Sequence, residues 1–457
     1  MNLLLSFAEH WKEKFAGTIS PDSTLLLGIS GGVDSVVLAH LLHRAGFPLQ
    51  LAHMNFQLRG EESNRDEEFV RAFARKLAVP LYVEKVNTAD IAAVKKISIQ
   101  EAARQLRYDW FKKIKESIES DQKKENKNKG CWILTAHHAN DNIETLLLHL
   151  FRGTGLEGLA GIQPMRKEEA LIRPLLPFYK EELMKYATEH ELNYVEDSSN
   201  AEHHYTRNKL RLQLMPVLED LFPEVNQQLT ANIERFREGL EIYRQAIAAK
   251  IDKISTTVQG EQHIPVAVWK GLQPLNTYTW EIIRSYGFQA SQIHEVIQLL
   301  DAETGKYIRS ATHRILRNRS QMVIAPIHRL TQSLMLIEEN DTQLNFTQGE
   351  LLVEEKTCTR IPTTVPVEEI YIPVKLVKFP LLLRPWKQGD YFYPLGLNKK
   401  KKISRLLIDL KFSATEKEKV WVLESDKKII WVVGIRLDHR FRIEKENESV
   451  LHFIYRK

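Results

Sequence analysis

The sequence predicts an α/β protein: a doubly wound parallel-sheet domain at the N-terminus, then a helical middle domain and a small α+β domain at the C-terminus. Three observations predict this. Short apolar runs alternate with helical stretches through residues 1–220, the pattern of a parallel sheet covered by helices. Apolar residues then recur at steps of three or four from Val225 to Ile254, one long amphipathic helix. Beyond residue 345 the chain turns strand-like at Ile370 to Lys375, Trp421 to Leu423 and Ile429 to Val433, with Ser425-Asp426-Lys427 as a hairpin turn.

Taken in order, MNLLLSFAEHWKEKF alternates apolar and charged residues at helical spacing and lacks a signal-peptide layout. Leu25 to Ile29 is a continuous apolar run, as in a strand buried on both faces, and Val36 to Leu42 has helical spacing. Ser30 to Ser35 (SGGVDS) is therefore a strand-to-helix turn. Leu49 to Met54 and Leu81 to Val86 read as strands around a helix at Asp66 to Leu77. Ser98 to Ser117 is helical, Asp121 to Gly130 a solvated loop, Trp132 to Ala136 a strand and Asn140 to Phe151 an amphipathic helix. An apolar piece at Ala170 to Leu176 precedes a helix at Lys180 to His190. A turn-rich cluster at Glu196-Asp197-Ser198-Ser199-Asn200 leads through Tyr205-Thr206-Arg207-Asn208 into Lys209 to Leu218, and Pro216 and Pro223 close the domain. The expected domains are 1–220, a helical 221–345 with the long helix as its spine as far as Ala325, and 346–457.

With 43% hydrophobic and 27% charged residues over 457 positions, the chain has the composition of a globular protein of several domains. No apolar run reaches the length of a membrane span, so no membrane partner and a cytoplasmic location are expected. Two cysteines, Cys131 and Cys358, exclude a disulfide framework and a Cys-rich zinc site. Charge is uneven: residues 375–457 hold 20 Lys/Arg against 10 Asp/Glu, a net +10 that leaves −5 for residues 1–374. Such asymmetry points to nucleic acid at the C-terminal domain. There Arg384-Pro385-Trp386 and Lys399 to Lys402 mix aromatics with cations, which fits either an RNA surface or a core flanked by solvated lysines.

At the Ser30 to Ser35 turn, the free N–H groups of a helix start converge on one spot, and glycine lets a phosphate come close to them. No lysine follows the glycines, so this is not the GxxxxGK[ST] loop. A pyrophosphate is expected there, with Asp34 available for Mg²⁺; the plain alternative is a tight turn with Asp34 as a first-turn acid. A second stretch, Thr135-Ala136-His137-His138-Ala139-Asn140-Asp141-Asn142-Ile143-Glu144, also follows a strand and opens a helix. Its Asp141 and Glu144, spaced i,i+3, face the same way beside His137. That set fits substrate or metal binding, or else two acids complementing a helix dipole; neither HExxH nor a cysteine ligand set is present.

Ser30-Gly31-Gly32-Val33-Asp34-Ser35 resembles the SGGxDS loop of the N-type ATP pyrophosphatases (PP-loop family), which cut ATP between the α- and β-phosphates. His53 to Ser63, Gln100 to Arg104 with Arg107-Tyr108, His137 to Glu144, Phe151 to Leu159 and Tyr205 to Asn208 together resemble the tRNA(Ile)-lysidine synthetases within that group. Arg384 to Asp409 resembles their C-terminal module. The resemblance implies that ATP adenylates the C2 carbonyl oxygen of the wobble cytidine in the CAU anticodon of an isoleucine tRNA, and that L-lysine then displaces AMP to give lysidine. By the same resemblance Ser30, Gly31, Gly32, Val33, Asp34 and Ser35 hold ATP and Asp34 holds Mg²⁺. His137 steadies the adenylate, Asp141 and Glu144 receive the lysine, and Arg104, Arg107 and Arg207 are candidates for the phosphates or the tRNA. A second copy of the chain is a candidate partner. Two positions depart from the pattern: Phe56 stands where the family often has His, and Asn140 where an acid is usual. The alternatives are a tRNA thiolase of the same fold, which needs a reactive cysteine near the site, and an RNA-binding protein that uses ATP as a switch.

Overall fold

The computed structural model describes residues 2–124, 129–195, 206–258, 260–327, 334–362, 364–397 and 399–457. Two compact units divide the chain, Met1–Gln245 and Ala246–Lys457.

In the first unit the elements run α1 (Leu3–Lys14), β1 (Thr24–Gly28), α2 (Val33–Arg44), β2 (Leu49–Asn55), α3 (Glu61–Leu77), β3 (Leu81–Lys85), α4 (Thr88–Lys95), α5 (Ile99–Lys124), β4 (Cys131–Leu134), α6 (Ala139–Arg152), α7 (Leu156–Leu159), β5 (Met165–Arg166), β6 (Leu171–Ile172) and α8 (Lys180–Glu189). The sheet order is β3-β2-β1-β4-β6-β5, parallel except for the short edge strand β5. Chain order reverses between β1 and β4, which opens a crevice beyond their carboxyl ends. Leu25 to Leu27 are at most 1% exposed because helices cover both faces: Leu25 and Leu27 pack among α1, α2, α3 and α8, and Leu26 packs against Phe111, Ile114 and Ile118 of α5. At Gly28 a Cβ would come within 2.5 Å of the Phe111 ring, so a side chain there would push α5 off the sheet.

α5 continues to Lys124, so the expected loop 121–130 begins as helix, with Asp121, Lys123 and Lys124 on its exposed end. The turn cluster at 196–200 and Tyr205 lie outside the described residues. After them come α9 (Thr206–Lys209), a π-helical turn (Leu210–Leu214), α10 (Met215–Leu221) and α11 (Val225–Ile254). On α11 the apolar stripe is core: Val225, Ile233, Leu240 and Ile247 are buried.

In the second unit, α12 (Val266–Lys270), α13 (Leu275–Ile283) and α14 (Ile293–Leu299) accompany the expected helical middle segment, together with a five-stranded sheet that the spacing of apolar residues does not announce. That sheet joins β7 (Thr256–Val258), β8 (Glu261–Pro265), β9 (Tyr307–Arg309), β10 (His313–Asn318) and β11 (Gln321–Pro326) in the order β7-β8-β11-β10-β9. The C-terminal part holds β12 (Met335–Ile337), β13 (Gln343–Phe346), β14 (Gly349–Cys358), β15 (Glu369–Pro373), β16 (Leu381–Pro385), α15 (Ile403–Asp409), α16 (Ala414–Glu418), β17 (Trp421–Ser425), β18 (Lys428–Val432), β19 (Arg436–Leu437) and β20 (Glu448–Arg456). β17 and β18 form the expected hairpin, and its two-residue turn places Asp426 and Lys427 at φ of 46° and 61°. Two antiparallel sheets, one built on β14 and β20 and one on β16 and β17, bury Leu351, Leu383, Trp431 and Phe453 between them.

Candidate functional site

The Ser30 to Ser35 turn follows β1 and opens α2, as its composition dictates. Its shape is set by its own hydroxyls: Ser35 Oγ donates to the Gly32 carbonyl (2.9 Å) and accepts from the Ser30 N–H (3.2 Å), and Ser30 Oγ accepts from the Gly32 N–H (3.2 Å). Gly31 sits at φ +94°, and a Cβ on it would come within 2.7 Å of Val195. Both backbone and space therefore require glycine there. Gly32 caps α2 without a side-chain hydrogen bond among the described residues, so the helix start turns its first N–H groups toward the crevice.

Asp34, in the first turn of α2, is held between two groups that sequence reasoning missed. Lys180 Nζ lies 2.7 Å from its Oδ1, and His138 Nε2 lies 3.8 Å from its Oδ2. Lys180 opens α8, and its backbone N–H donates to Asn140 Oδ1 at 3.0 Å. The unusual Asn140 thus joins the starts of α6 and α8. His138 is buried, its Nε2 also 3.6 Å from Asp141 Oδ2, and its Nδ1 has no hydrogen-bond partner among the described residues.

Asp141 and Glu144 lie on one face of α6, as their spacing predicts, and two arginines face them. Arg207 of α9 bonds Asp141 Oδ1 at 2.8 Å and Glu144 Oε2 at 2.5 Å, while Arg211 in the π-helical turn bonds Glu144 Oε1 at 2.6 Å. A π-turn inside helical structure often marks a functional position, and here it presents Arg211 beside Arg207. Burial alone would raise the Asp141 carboxyl, but His138 and Arg207 outweigh it and hold the group below the usual range. Glu144 is 3% exposed in its side chain, and these two guanidiniums take the place of water as its partners.

His137 bonds Thr135 Oγ1 through Nδ1 at 2.9 Å. Burial pushes it down to about 4; Asp141 opposes the shift, and Arg173, Arg207 and Arg104 add to it. It is neutral at pH 7. Arg173, also missed, follows β6 at the carboxyl edge of the sheet and is 2% exposed; it donates to the Gln163 carbonyl at 2.6 Å, and its Nε lacks a partner among the described residues. Arg104 lies over the Tyr108 ring and Arg107 over Phe56, each 5.1 Å from the centroid. The atypical Phe56 thus serves as a platform for Arg107.

This crevice gathers a glycine loop, a helix start, carboxylates and cations, the groups that the phosphates of a nucleotide and their counter-ion call for. Among the described residues no group of three or more His, Cys, Asp and Glu could hold a metal ion by itself. A divalent cation would share Asp34 with phosphate oxygens, the mode Mg²⁺ favours. Cys131 cannot act as a nucleophile, because burial pushes its thiol up to about 12, and Cys358 is also buried. No helix among the described residues is long and apolar enough to cross a membrane.

In the C-terminal part, Arg384 and Trp386 are architecture. Arg384 is buried between Asp390 and Glu424, and Trp386 Nε1 donates to the Lys417 carbonyl at 2.5 Å. Lys399, Lys400 and Tyr391 are exposed, with Lys400 Nζ 3.5 Å from the centre of the Tyr391 ring.

Three family models match the chain: a PP-loop domain over residues 5–218, a TilS substrate binding domain over 257–327 and a TilS substrate C-terminal domain over 381–453. The tRNA(Ile)-lysidine synthase of Bacteroides thetaiotaomicron is 36% identical, the match covering 94% of this chain and 95% of that one. The protein of the same name from Parabacteroides distasonis is 34% identical over 95% of each. Among solved structures, the U34-tRNA thiolase NcsA from Methanococcus maripaludis is similar at 18% identity and a TM-score of 0.41, over 52% of this chain and 80% of that one.

Proposed function

The chain belongs to the tRNA(Ile)-lysidine synthase family, a PP-loop ligase that uses ATP to form a carbon–nitrogen bond, and we propose that its two half-reactions are divided between the two halves of this crevice. In the first, the C2 carbonyl oxygen of the wobble cytidine of a CAU-anticodon isoleucine tRNA forms a bond to the α-phosphorus of ATP, and pyrophosphate leaves. In the second, the amine of L-lysine forms a bond to C2, and the oxygen leaves with AMP. Ser30, Gly31, Gly32, Val33, Asp34 and Ser35 hold the triphosphate, with Mg²⁺ on Asp34 to supply charge neutralisation. His137, being neutral, serves the adenylate as a hydrogen-bonding group rather than as a cation.

Asp141 and Glu144 receive the lysine ammonium. A free lysine amine has a pKa of about 10.4, so at pH 7 only about one molecule in a few thousand is neutral and nucleophilic. One carboxylate orients the lysine, and the other, desolvated once the adenylated base fills the site, takes the proton. Arg207 and Arg211 pair with both acids until lysine arrives. Arg104 and Arg107, with aromatic support beneath them, suit the phosphates or the tRNA backbone. The basic C-terminal domain grips tRNA, in keeping with a three-part division at residues 220 and 345, and the setting is the cytoplasm. A second copy of the chain remains a candidate partner.

The observation that supports this reading best is the convergence of Asp34, His138, Asp141 and Glu144 from two strand ends onto one charged crevice, Asp34 and Asp141 flanking the same imidazole at 3.8 and 3.6 Å. The test is which amino acid stimulates AMP release when ATP and CAU-anticodon isoleucine tRNA are present. L-Lysine alone is expected to do so. A protein that bound the tRNA but released neither AMP nor pyrophosphate would be an ATP-switched RNA binder instead.

A further inference from the structure

We propose that Lys180 is a catalytic residue of the adenylation step, a lysine supplied from α8 that does for this glycine loop what the loop's own sequence cannot. The proposal rests on the ligase reading above. Ser30-Gly31-Gly32-Val33-Asp34-Ser35 holds no cationic side chain, so beyond its backbone N–H groups and a cation on Asp34 it has nothing of its own to offset the charge on a departing pyrophosphate. The Lys180 ammonium stands at its mouth, 2.7 Å from Asp34 Oδ1, although 146 residues separate the two in sequence.

Local structure gives no other reason for a lysine at this position. Lys180 is the first residue of α8, and a cation in a first helical turn opposes the helix dipole. Its one ion pair among the described residues is with α2, not with its own helix. Its backbone, by contrast, is firmly held: Asn140 Oδ1 takes its N–H at 3.0 Å, and Glu182 Oε2 takes the preceding N–H of Tyr179 at 2.7 Å. The Cα is therefore fixed while the side chain, 38% exposed, keeps the freedom to turn. Asp34 has a second neighbour in His138, 3.8 Å away, so its carboxylate does not depend on Lys180 alone.

Asp34 would hold a divalent cation that enters with the nucleotide, and the Lys180 ammonium, no longer needed by that carboxylate, could then turn to the phosphates. The cytidine oxygen gives an electron pair to the α-phosphorus. The bond from that phosphorus to the oxygen bridging the β-phosphate breaks, and its pair leaves on pyrophosphate. Lys180 meets that charge as it develops, where a cation contributes more to rate than to ground-state binding.

The test compares Lys180→Met and Lys180→Arg with the unaltered chain in three measurements: tRNA-dependent pyrophosphate release at saturating ATP, calorimetric affinity for ATP and for AMP, and melting temperature. Lys180→Met is expected to slow pyrophosphate release by roughly 100-fold or more, the usual effect of losing one preorganised charge-stabilising group. It should weaken ATP several-fold while leaving AMP unchanged, with little change in melting temperature, and Lys180→Arg should recover part of the rate. Release within about threefold of the unaltered chain, equal weakening of ATP and AMP, or a rate loss matched by a fall in melting temperature would make Lys180 a mere counter-ion of Asp34 and overturn the proposal. Should the unaltered chain release no pyrophosphate while Lys180→Met still lost the preference for ATP over AMP, the phosphate contact would stand and the ligase reading would fall.

Discussion

Two clusters of carboxylates and guanidiniums, one in each unit, look alike in composition and differ in how completely their bonds are used. In the second unit Arg384 donates from Nε and both terminal nitrogens to Glu424, Asp390 and the Pro385 carbonyl, at 2.7 to 3.1 Å, and its side chain is 8% exposed. Every lobe of the guanidinium is used, and Asp390 also accepts the Lys387 N–H at 2.8 Å. In the first unit Glu144 is equally buried, but the side chains of Arg207 and Arg211 that satisfy it are each 39% exposed, and His138 Nδ1 nearby has no partner among the described residues. A saturated cluster fixes the chain, whereas one whose cations can withdraw to solvent can exchange them for a substrate's. The same residue types thus serve architecture in one place and, on the proposed reading, chemistry in the other.

The largest effect that would sharpen this contrast is kinetic. Glu144→Gln and Asp141→Asn should each slow lysine transfer by roughly 100- to 10,000-fold, the range for losing a positioned proton acceptor, while pyrophosphate release persists. Rapid-quench measurement should show adenylated tRNA accumulating in both variants. Equal loss of both steps would make the pair part of the ATP site, and no loss would make it as structural as Arg384.

In the saturated cluster the effect should fall on stability instead. Arg384→Met leaves Asp390 and Glu424 buried without their cation, a change that typically costs about 3–5 kcal/mol. Chemical denaturation should show that loss in the second unit, with the rate of lysine transfer per folded molecule unchanged. A triple substitution of Arg384, Asp390 and Glu424 by apolar residues of similar volume should recover much of the stability, because no lone charge is then left behind. If the single substitution were harmless, saturation would be no guide to role.

How much of this contrast is legible in the sequence follows from how far apart the partners lie. The glycine loop could be read because strand, turn and helix are contiguous from Leu25 to Leu42, and the Asp141/Glu144 face because i,i+3 spacing is local. Lys180 and Arg211 could not, since their partners lie 146 and 67 residues away and only the folded sheet brings them together. One signal for Lys180 was present, a cation on the unfavourable end of a helix. Arg384 read equally well as RNA contact or as core until its acids were located. The sheet of residues 256–326 carries a weak strand pattern, in part because a charged residue points inward: Glu261 on β8 is 7% exposed and is satisfied by Thr415 Oγ1 and Lys419 Nζ, both 3.0 Å away, within the second unit.

A smaller effect concerns cations that are neither saturated nor in the crevice. Lys387, Lys399 and Lys400 are exposed on the C-terminal part, and each phosphate they neutralise would release counterions on tRNA binding. Replacing all three by Gln in the full chain should lower the slope of log affinity against log salt by about 1 to 3 and leave the melting temperature unchanged. An unaltered slope would mean that the excess charge of residues 375–457 solubilises the protein and the tRNA is gripped elsewhere.

The smallest expected effect separates histidines that burial holds neutral from clusters that hold charge. His40 is pushed down to about 4 first by burial and then by His190 and Arg44, and its Nδ1 lies 3.0 Å from the Tyr186 hydroxyl. His137 is likewise pushed down to about 4. Because the unfolded chain takes up these protons near pH 6.5 and the folded chain refuses them until about 4, their contribution is complete above pH 6.5 and is lost as pH falls toward 4. Between pH 6.5 and 5, before most carboxylates titrate, His40 should account for a decline of about 1 kcal/mol once partial exposure is allowed for. His40→Gln keeps a hydrogen-bonding group for Tyr186 but has no proton to gain, so its stability should fall less steeply over that interval. Parallel declines in the two proteins would show that solvent reaches His40 freely, and neutrality enforced by burial would then have to be tested at His137 alone, by the same pH series on His137→Asn.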